Sequence, residues 1–104
     1  MKFHQLIEEY LPDKETTDSL ADFFAIFSDR TRMRIISLLS LGEMCVNDVA
    51  FILKISQSTV SHQLQKLKEN KIVDCKRIGK RTIYYLANKK VEEMCLMAVL
   101  ATED

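Results

Sequence analysis

The chain has 104 residues with only 2 Gly and 1 Pro, a length and composition that favour one small, mostly helical domain. The N-terminus lacks the apolar core of a signal peptide, and the longest apolar run, Met94 to Ala101, is too short to cross a bilayer. We therefore expect a cytoplasmic protein. The cysteines form neither a disulfide framework nor a self-contained zinc knuckle, since no two are closely spaced. They are Cys45, Cys75 and Cys95.

The formal net charge is zero, but the charges are distributed unevenly. The segment from Lys54 to Arg81 contains eight Lys and Arg against two acidic residues, a net charge of +6, and the rest of the chain carries −6. A basic segment set against an acidic remainder is typical of a domain that presents one face to a polyanion. This pattern indicates a nucleic-acid partner, with an ordinary run of solvated charges as the alternative.

The N-terminal segment from His4 to Leu11 has apolar side chains at helical spacing, and Pro12 ends it. This pattern predicts a short accessory helix or arm. The next helix is predicted to begin at Thr16 or Thr17, either of which can cap its N-terminus. Its apolar side chains recur at helical spacing, which predicts a stripe that faces the core or a second subunit. These side chains are Leu20, Phe23, Phe24 and Phe27.

Two further helices are predicted before the basic segment. Ser28-Asp29 can cap a helix from Arg30 to Leu41, which Gly42 ends as its C-cap. Asn47 or Asp48 can then open a shorter helix.

The stretch from Ser56 to Leu64 predicts a helix with one apolar face and one face of small polar and amide side chains. Ser56 is a good N-cap, and Asn70 is the expected end because Asn tolerates the left-handed conformation. The polar face suits hydrogen bonding to base edges and phosphates in a major groove, whereas an ordinary amphipathic surface helix is the alternative. This face presents Gln57, Ser58, Ser61, His62 and Gln65.

The short helix, the turn Lys54-Ile55 and the polar helix make up a helix-turn-helix unit, although the turn lacks a Gly. Two β-rich segments follow, Ile72 to Ile78 and Arg81 to Leu86, and the two-residue turn Gly79-Lys80 joins them into a hairpin. A basic hairpin tip directly after the polar helix is typical of a wing that reaches along the phosphate backbone or into the minor groove. A solubilising tip is the alternative. The basic side chains at the tip are Arg77, Lys80 and Arg81.

The alternation of side chains along each strand predicts which face of the hairpin is buried. Val73 and Cys75 should share one face of the first strand, and Tyr84 and Leu86 should face the core from the second.

Asn88 can cap the last helix, which is apolar on every side from Met94 to Ala101. A helix without a polar face at the end of a small chain must be covered. We expect its inner side to pack on the Phe-rich second helix and its outer side on the same helix of a second subunit. A two-fold dimer would place two polar helices about one DNA turn apart, so that they read an inverted repeat.

With these elements in place, the chain resembles the ArsR/SmtB family of winged-helix repressors, small bacterial regulators that respond to metals and thiol chemistry. The resemblance covers roughly Leu20 to Ala101 and rests on the stretches Phe27 to Leu39, Glu43 to Ala50, Ser56 to Leu67, and Arg77 to Leu86. By this resemblance, positions that contact DNA are matched by Gln57, Ser58, Ser61 and His62. The family's wing is matched by Arg77, Lys80 and Arg81.

The resemblance also indicates where an effector would bind. The segment from Glu43 to Asp48 resembles a box for thiophilic metals in which two Cys are separated by one residue. Cys45 is kept, but Asn47 replaces the second Cys and is a poor ligand for a soft metal. The family's other common site, in the last helix, uses Asp and His pairs, and that site is effectively absent here. Its matching positions are Asn88, Lys90, Ala101 and Asp104.

Cys45 is the best candidate for a sensor, because it precedes the helix-turn-helix unit, where a following helix N-terminus can make a thiol reactive. Cys95 is a weaker candidate, since it is expected to pack at an interface within the apolar helix. Cys75 is expected to pack in the core beside Val73.

The sequence therefore predicts a mainly α fold with a β-hairpin, a winged helix-turn-helix that dimerises through its first and last helices. Residues 1–15 should form an N-terminal arm with a short helix, and residues 16–104 the DNA-binding and dimerisation domain. The expected function is a homodimeric transcriptional repressor that binds an inverted-repeat operator in double-stranded DNA and is released by a metal or a thiol-reactive effector. The expected DNA contacts are Gln57, Ser58, Thr59, Ser61, His62, Arg77, Lys80 and Arg81.

A winged-helix module that holds a protein partner, without specific DNA binding, is the alternative function. Neither an enzyme nor a small-molecule substrate is expected, because the sequence contains no glycine-rich phosphate loop and suggests no catalytic set. No membrane partner is expected. The cofactor is left open, with a thiophilic metal ion as one candidate.

Overall fold

Six helices and one antiparallel hairpin follow one another along the chain in the computed structural model, which describes residues 2–103. The elements are α1 (Lys2–Tyr10), α2 (Lys14–Ile26), α3 (Arg30–Leu41), α4 (Val46–Leu53), α5 (Gln57–Glu69), β1 (Val73–Ile78), β2 (Arg81–Leu86) and α6 (Lys89–Thr102). This architecture confirms the predicted mainly α fold with a β-hairpin. Among these helices, none has both the length and the apolar character needed to cross a membrane.

The core lies where α3, α4 and α5 meet the hairpin. Val60, Leu64 and Leu67 recur at i, i+4 and i+7 along α5 and are fully buried, as are Ile35 and Ile36 of α3. Each such aliphatic side chain contributes about 1.5–3 kcal/mol when it leaves water. This packing fixes one face of α5 against the domain and leaves the opposite face in solvent.

Two helices begin earlier than the sequence predicted. Asp13, and not Thr16 or Thr17, caps α2, because its carboxylate accepts a hydrogen bond from the backbone N–H of Thr16 at 2.8 Å. Cys45, and not Asn47 or Asp48, is the N-cap of α4, and its side chain makes no capping hydrogen bond. Backbone pairing of the preceding residue with β2 holds the chain extended up to Cys45, so the helix starts directly after it.

The ends of α3 and α5 lie close to the predicted positions but have different local conformations. Gly42 is the C-cap of α3 with φ 171°, an extended conformation that any residue adopts. Asn70 has φ −90°, so its expected left-handed conformation is wrong, and Lys71 has φ 62° instead. The Asn70 side chain supports the helix end in another way, since its amide donates to the carbonyl oxygen of Lys66 at 2.9 Å.

The hairpin has the predicted strands and turn but a different pattern of burial. Gly79 begins the two-residue turn with φ +61°, and Val73 is buried at the base. Cys75 is half-buried at the edge of the core, so the expectation that it packs inside the core is wrong. Tyr84 and Leu86 are half-buried against the core as predicted. The most buried residue of β2 is, however, Ile83 on the opposite face.

The first and last helices leave much apolar surface uncovered. No residue of α1 is buried, and α6 buries only Val91 and Cys95. The main neighbour of α6 is β2, and the expected packing of its inner side on α2 stays a prediction. The C-terminal part of α2 reaches the core through Phe23 and Ile26, and its C-cap Phe27 packs there as well. The described chain has a radius of gyration of 17.2 Å, larger than the ~13 Å of a compact domain of this length.

Candidate nucleic-acid interface

A network of hydroxyl groups fixes the N-terminus of α5. The hydroxyl of Ser56 accepts a hydrogen bond from the backbone N–H of Thr59 at 3.1 Å and donates to the Thr59 hydroxyl at 2.7 Å. The hydroxyl of Ser58 lies 3.2 Å from that of Ser56. The predicted cap is therefore present, and the Thr59 hydroxyl is partly occupied by the cap itself.

The solvent face of α5 has the composition that the sequence predicted. Its side chains are small hydroxyl groups, amides and one imidazole, and all are exposed. They belong to Gln57, Ser58, Ser61, His62 and Gln65. Because the opposite face is held in the core, this polar face points away from the domain and is available to a partner.

At the tip of the wing, defined as the hairpin β1–β2, the basic side chains differ in their surroundings. Lys80 is exposed, and the Arg77 Nε donates to the carbonyl oxygen of Gly79 at 3.3 Å. Arg81 turns back towards the N-terminus of α4, where its Nη2 lies 2.9 Å from the Cys45 Sγ and 3.1 Å from the Asp48 Oδ2. The sequence placed Arg81 with the DNA-facing tip, but in the free chain its guanidinium contacts the helix-turn-helix unit.

Cys45, Asp48 and Arg81 form a closed cluster, which we call the wing clamp. The Cys45 thiol donates to the Asp48 carboxylate at 3.1 Å, so each member of the cluster contacts the other two. The hydrogen bond from Cys45, followed by the charge of Arg81, lowers the pKa of the Asp48 carboxyl. The same thiol and the Asp48 charge raise the pKa of Arg81. Since the Asp48 pKa is depressed, the ion pair is complete above the ordinary carboxyl pKa of 3.8 and is lost only as pH falls through the lower pKa of the folded chain.

The wing is joined to the segment between α3 and α4 at two further points. Met44 and Tyr84 exchange backbone hydrogen bonds of 3.1 and 2.8 Å. The Lys76 ammonium lies 3.0 Å from the Glu43 carboxylate and 5.4 Å from the centre of the Tyr85 ring. Because Lys76 and Glu43, like Met44 and Tyr84, are more than 30 residues apart, no periodicity or local motif could have revealed these two attachments.

A small cleft lies beside the wing clamp. It has a volume of about 240 Å³ and is lined by Cys45, Val46, Asn47, Lys80, Arg81 and Thr82.

The structure places the other cysteines apart from this cluster. The Cys75 Sγ lies 3.4 Å from the Lys68 ammonium, and this hydrogen bond raises the pKa of Lys68. Cys95 is 8% exposed, and burial raises the pKa of its thiol. A buried, protonated thiol is a poor nucleophile, so Cys45 is better placed than Cys95 to react.

The residues around Cys45 do not fit a thiophilic metal site in one chain. Within residues 2–103, no three His, Cys, Asp or Glu side chains come together in a way that could hold a metal ion. Cys45 and Asp48 offer two ligand atoms, but the Arg81 guanidinium contacts both. At the second family position, Asn88 accepts a hydrogen bond from the backbone N–H of Lys90 and caps α6. Of the other positions matched there, Ala101 offers no ligand atom and Asp104 lies outside the described residues.

Comparison with known proteins agrees with this geometry. The family model described as "Bacterial regulatory protein, arsR family" matches residues 29–74, from the cap of α3 into β1. A cadmium resistance transcriptional regulatory protein CadC from Listeria innocua is 36% identical over 89 residues, which cover 85% of this chain and 75% of the relative. The chain belongs to the ArsR family. The predicted resemblance to this family is therefore confirmed.

Two further similarities extend over most of this ArsR-family chain. A transcriptional repressor SmtB homolog from Synechocystis sp. is 38% identical over 77 residues, or 74% of this chain, which spans only 58% of that relative's length. The solution structure of the homodimeric winged helix-turn-helix DNA-binding domain of Mb0332 from Mycobacterium bovis superposes with a TM-score of 0.76 at 26% identity, covering 88% of this chain and 87% of that one. The predicted winged helix-turn-helix fold is confirmed.

Proposed function

We propose that the chain is a homodimeric transcriptional repressor that binds an inverted-repeat operator in double-stranded DNA. The observation that carries this proposal is the exposed polar face of α5, which follows the short helix α4 and precedes a wing with a basic tip. The basic segment, which contains α5 and the tip of the wing, has a net charge of +6. A charge of this size attracts phosphate, and hydroxyl and amide groups at its centre can distinguish bases.

The proposed contacts divide into two groups by their chemistry. The amide and imidazole of Gln57 and His62 can pair with base edges, whereas the Ser58 and Ser61 hydroxyls suit bases or phosphates. Thr59 is limited to a contact compatible with its role in the helix cap. At the wing, Lys80 and Arg77 are the candidates for phosphate contacts, and Arg81 would have to leave the wing clamp to make one.

A second copy of the chain completes the proposed DNA-binding unit. The exposed apolar residues of α1 and α6 are the surfaces we assign to the dimer, with residues 1–15 as an arm and residues 16–104 as the DNA-binding and dimerisation domain. A two-fold axis then sets the two α5 helices about one DNA turn apart. The proposal includes a cytoplasmic location, where bacterial DNA lies.

We assign release from the operator to an effector that reacts with or binds the thiol of Cys45. Cys45 is half-buried, precedes α4 and contacts a side chain of the wing, so a change at its sulfur reaches both parts of the DNA-binding face. Operator affinity should be compared before and after treatment with thiophilic metals and mild oxidants. If Cys45→Ser leaves every response intact, the effector does not act at Cys45.

Binding to DNA itself is tested by a gel shift on the promoter region of the chain's own gene, at moderate salt and with competitor DNA. We expect a shift that resists random competitor and that weakens steeply as salt increases, because phosphate contacts release counterions. The contradicting result is no shift at micromolar dimer. That outcome would favour the alternative, a winged-helix module that binds a protein partner.

A further inference from the structure

The wing clamp joins two elements that are far apart in sequence at the end of the hairpin where the wing is least supported. Arg81 is the first residue of β2 and pairs with Ile78 directly at the turn. The buried anchors Val73 and Ile83 lie further towards the base. An isolated two-stranded hairpin is at best marginally stable in water, so the direction of its tip depends on what holds it.

The partner of Arg81 is well suited to hold it. Asp48 lies in the first turn of α4, where a carboxylate also interacts favourably with the helix dipole. Its backbone is part of the helix-turn-helix unit, so a guanidinium bound to it is positioned relative to α5. The Cys45 thiol donates to Asp48 and its sulfur accepts from Arg81, which gives the guanidinium a second acceptor.

We propose that Asp48 and Cys45 bind Arg81 in order to fix the wing against α4, so that Arg81 supports operator recognition as a positioning residue and not as a phosphate contact. This inference rests on the proposed function and assigns a role to Asp48 in the same DNA-binding face. Lys80 and Arg77 then make the phosphate contacts of the wing, from a tip whose direction the clamp sets.

Two observations favour this role over a direct contact. Arg81 would have to give up two acceptors, at 2.9 and 3.1 Å, to reach a phosphate, whereas Lys80 is exposed and can reach one without such a loss. Nearer its base, the wing is also tied to the chain before α4 by Lys76–Glu43 and by the backbone pair Met44–Tyr84. Three separate attachments to one short segment are what a rigid wing requires.

The test is a double-mutant cycle with Asp48→Asn, Arg81→Ala and the two combined, in the full chain. Affinity is measured for operator and for random duplex as a function of salt. Each single variant should weaken operator binding about two- to fivefold, the range expected when an exposed ion pair is lost. The operator affinity of the double variant should be no lower than that of the single variant that binds less tightly, because both changes break the same clamp. The salt slope of Arg81→Ala should fall by clearly less than one phosphate contact.

Controls separate the clamp from a general change in charge. Glu43→Gln removes one negative charge from the neighbouring segment without touching Arg81, and it should leave the non-additivity of Asp48 and Arg81 intact. Asp48→Glu retains the carboxylate and should restore most of the operator affinity lost in Asp48→Asn. Two results together would overturn the proposal. In the first, Asp48→Asn tightens binding to both duplexes; in the second, Arg81→Ala weakens binding to both duplexes equally and lowers the salt slope by about one. Arg81 would then contact phosphate directly.

A measurement without DNA distinguishes failure of this inference from failure of the proposed function. Amide hydrogen exchange at the tip of the wing should be faster in both Asp48→Asn and Arg81→Ala, and unchanged in a Lys80→Ala variant. If exchange responds in this way but the wild-type chain binds no DNA, the clamp exists and the proposed function is wrong. If exchange at the tip is the same in all variants, the clamp does not hold the wing.

Discussion

Gln57 presents an exposed amide in the first turn of α5, and its removal should affect only DNA that offers the right base edge. Gln57→Ala should weaken operator binding by about 1–3 kcal/mol, the value of a good bidentate amide–base pair, and should leave binding to random duplex nearly unchanged. His62→Ala should behave in the same way. Fluorescence anisotropy with both duplexes measures the difference. Gln65→Ala compares a second amide of the same polar face, and it should cost less operator affinity because the Gln65 amide already donates to Glu69 at 3.4 Å. Equal losses on both duplexes would mean that Gln57 contacts phosphate.

Lys80 carries a point charge at the tip of the wing, and its loss should not depend on sequence. Lys80→Ala should weaken binding to operator and random duplex alike and lower the slope of log affinity against log salt by about one phosphate contact. Lys14→Ala is a suitable control, since this residue pairs with Asp18 on α2, outside the basic segment. A loss confined to the operator would place Lys80 among the base contacts.

Cys45 and Cys95 differ enough in their surroundings for their thiols to be ordered by reactivity. Cys45 is half-buried beside Arg81, whereas Cys95 is buried and its thiol pKa is raised by desolvation. At neutral pH, an alkylating reagent should therefore modify Cys45 well before Cys95, and raising the pH should narrow the difference because more of Cys95 ionises. Mass spectrometry of peptides after timed quenching gives both rates. Faster labelling of Cys95 at neutral pH would show that α6 opens readily in solution.

Among the elements, those specified by local chemistry were predictable and those specified by distant contacts were not. Helix α3 follows from its cap Asp29 and its apolar spacing, and α5 from Ser56 and the stripe behind it. The start of α4 was misplaced because Met44 pairs with β2, about 40 residues further along the chain. The contact of Arg81 with Asp48 was missed for the same reason. Sequence periodicity reports on one element at a time and carries no information about which elements meet.

The turn of the hairpin offers a test of local backbone conformation at the element scale. Gly79 has φ +61°, which disfavours any side chain, so Gly79→Ala should destabilise the fold by about 1–2 kcal/mol. Gly42→Ala is the matched control, because Gly42 is extended and nothing lies within 4 Å of an added Cβ. This second change should leave stability unchanged or raise it by up to about 1 kcal/mol, through a less flexible unfolded chain. Denaturant unfolding compares the two variants. Equal free energies of unfolding would mean that the turn rearranges without cost.

At the scale of the whole molecule, the described chain is elongated, and its first and last helices expose apolar side chains. Its extents are 62 × 33 × 20 Å, and the apolar side chains of α1 are more than half exposed. Four apolar side chains of α6, those of Leu96, Met97, Val99 and Leu100, are 49–65% exposed. A monomer that leaves this much apolar surface in water is unusual, and a second copy is the partner that the proposed function requires.

The dimer can therefore be tested by placing a charge on α6. Leu96→Glu or Leu100→Glu should convert the dimer into a folded monomer at micromolar concentration. The dimer would otherwise have to bury an unpaired carboxylate in its interface, which is unfavourable. Both leucines are more than half exposed in the single chain, so the substitutions should leave its circular dichroism unchanged. Sedimentation equilibrium measures the association. Operator affinity should fall as the dimer dissociates, since a monomer presents one α5 where the dimer presents two.

Phe51→Glu on α4 is the matched control: Phe51 is 85% exposed and lies outside α1 and α6, so this variant should remain dimeric. Dissociation by Phe51→Glu but not by Leu96→Glu would place the dimer interface on the helix-turn-helix unit and contradict the assignment of α6.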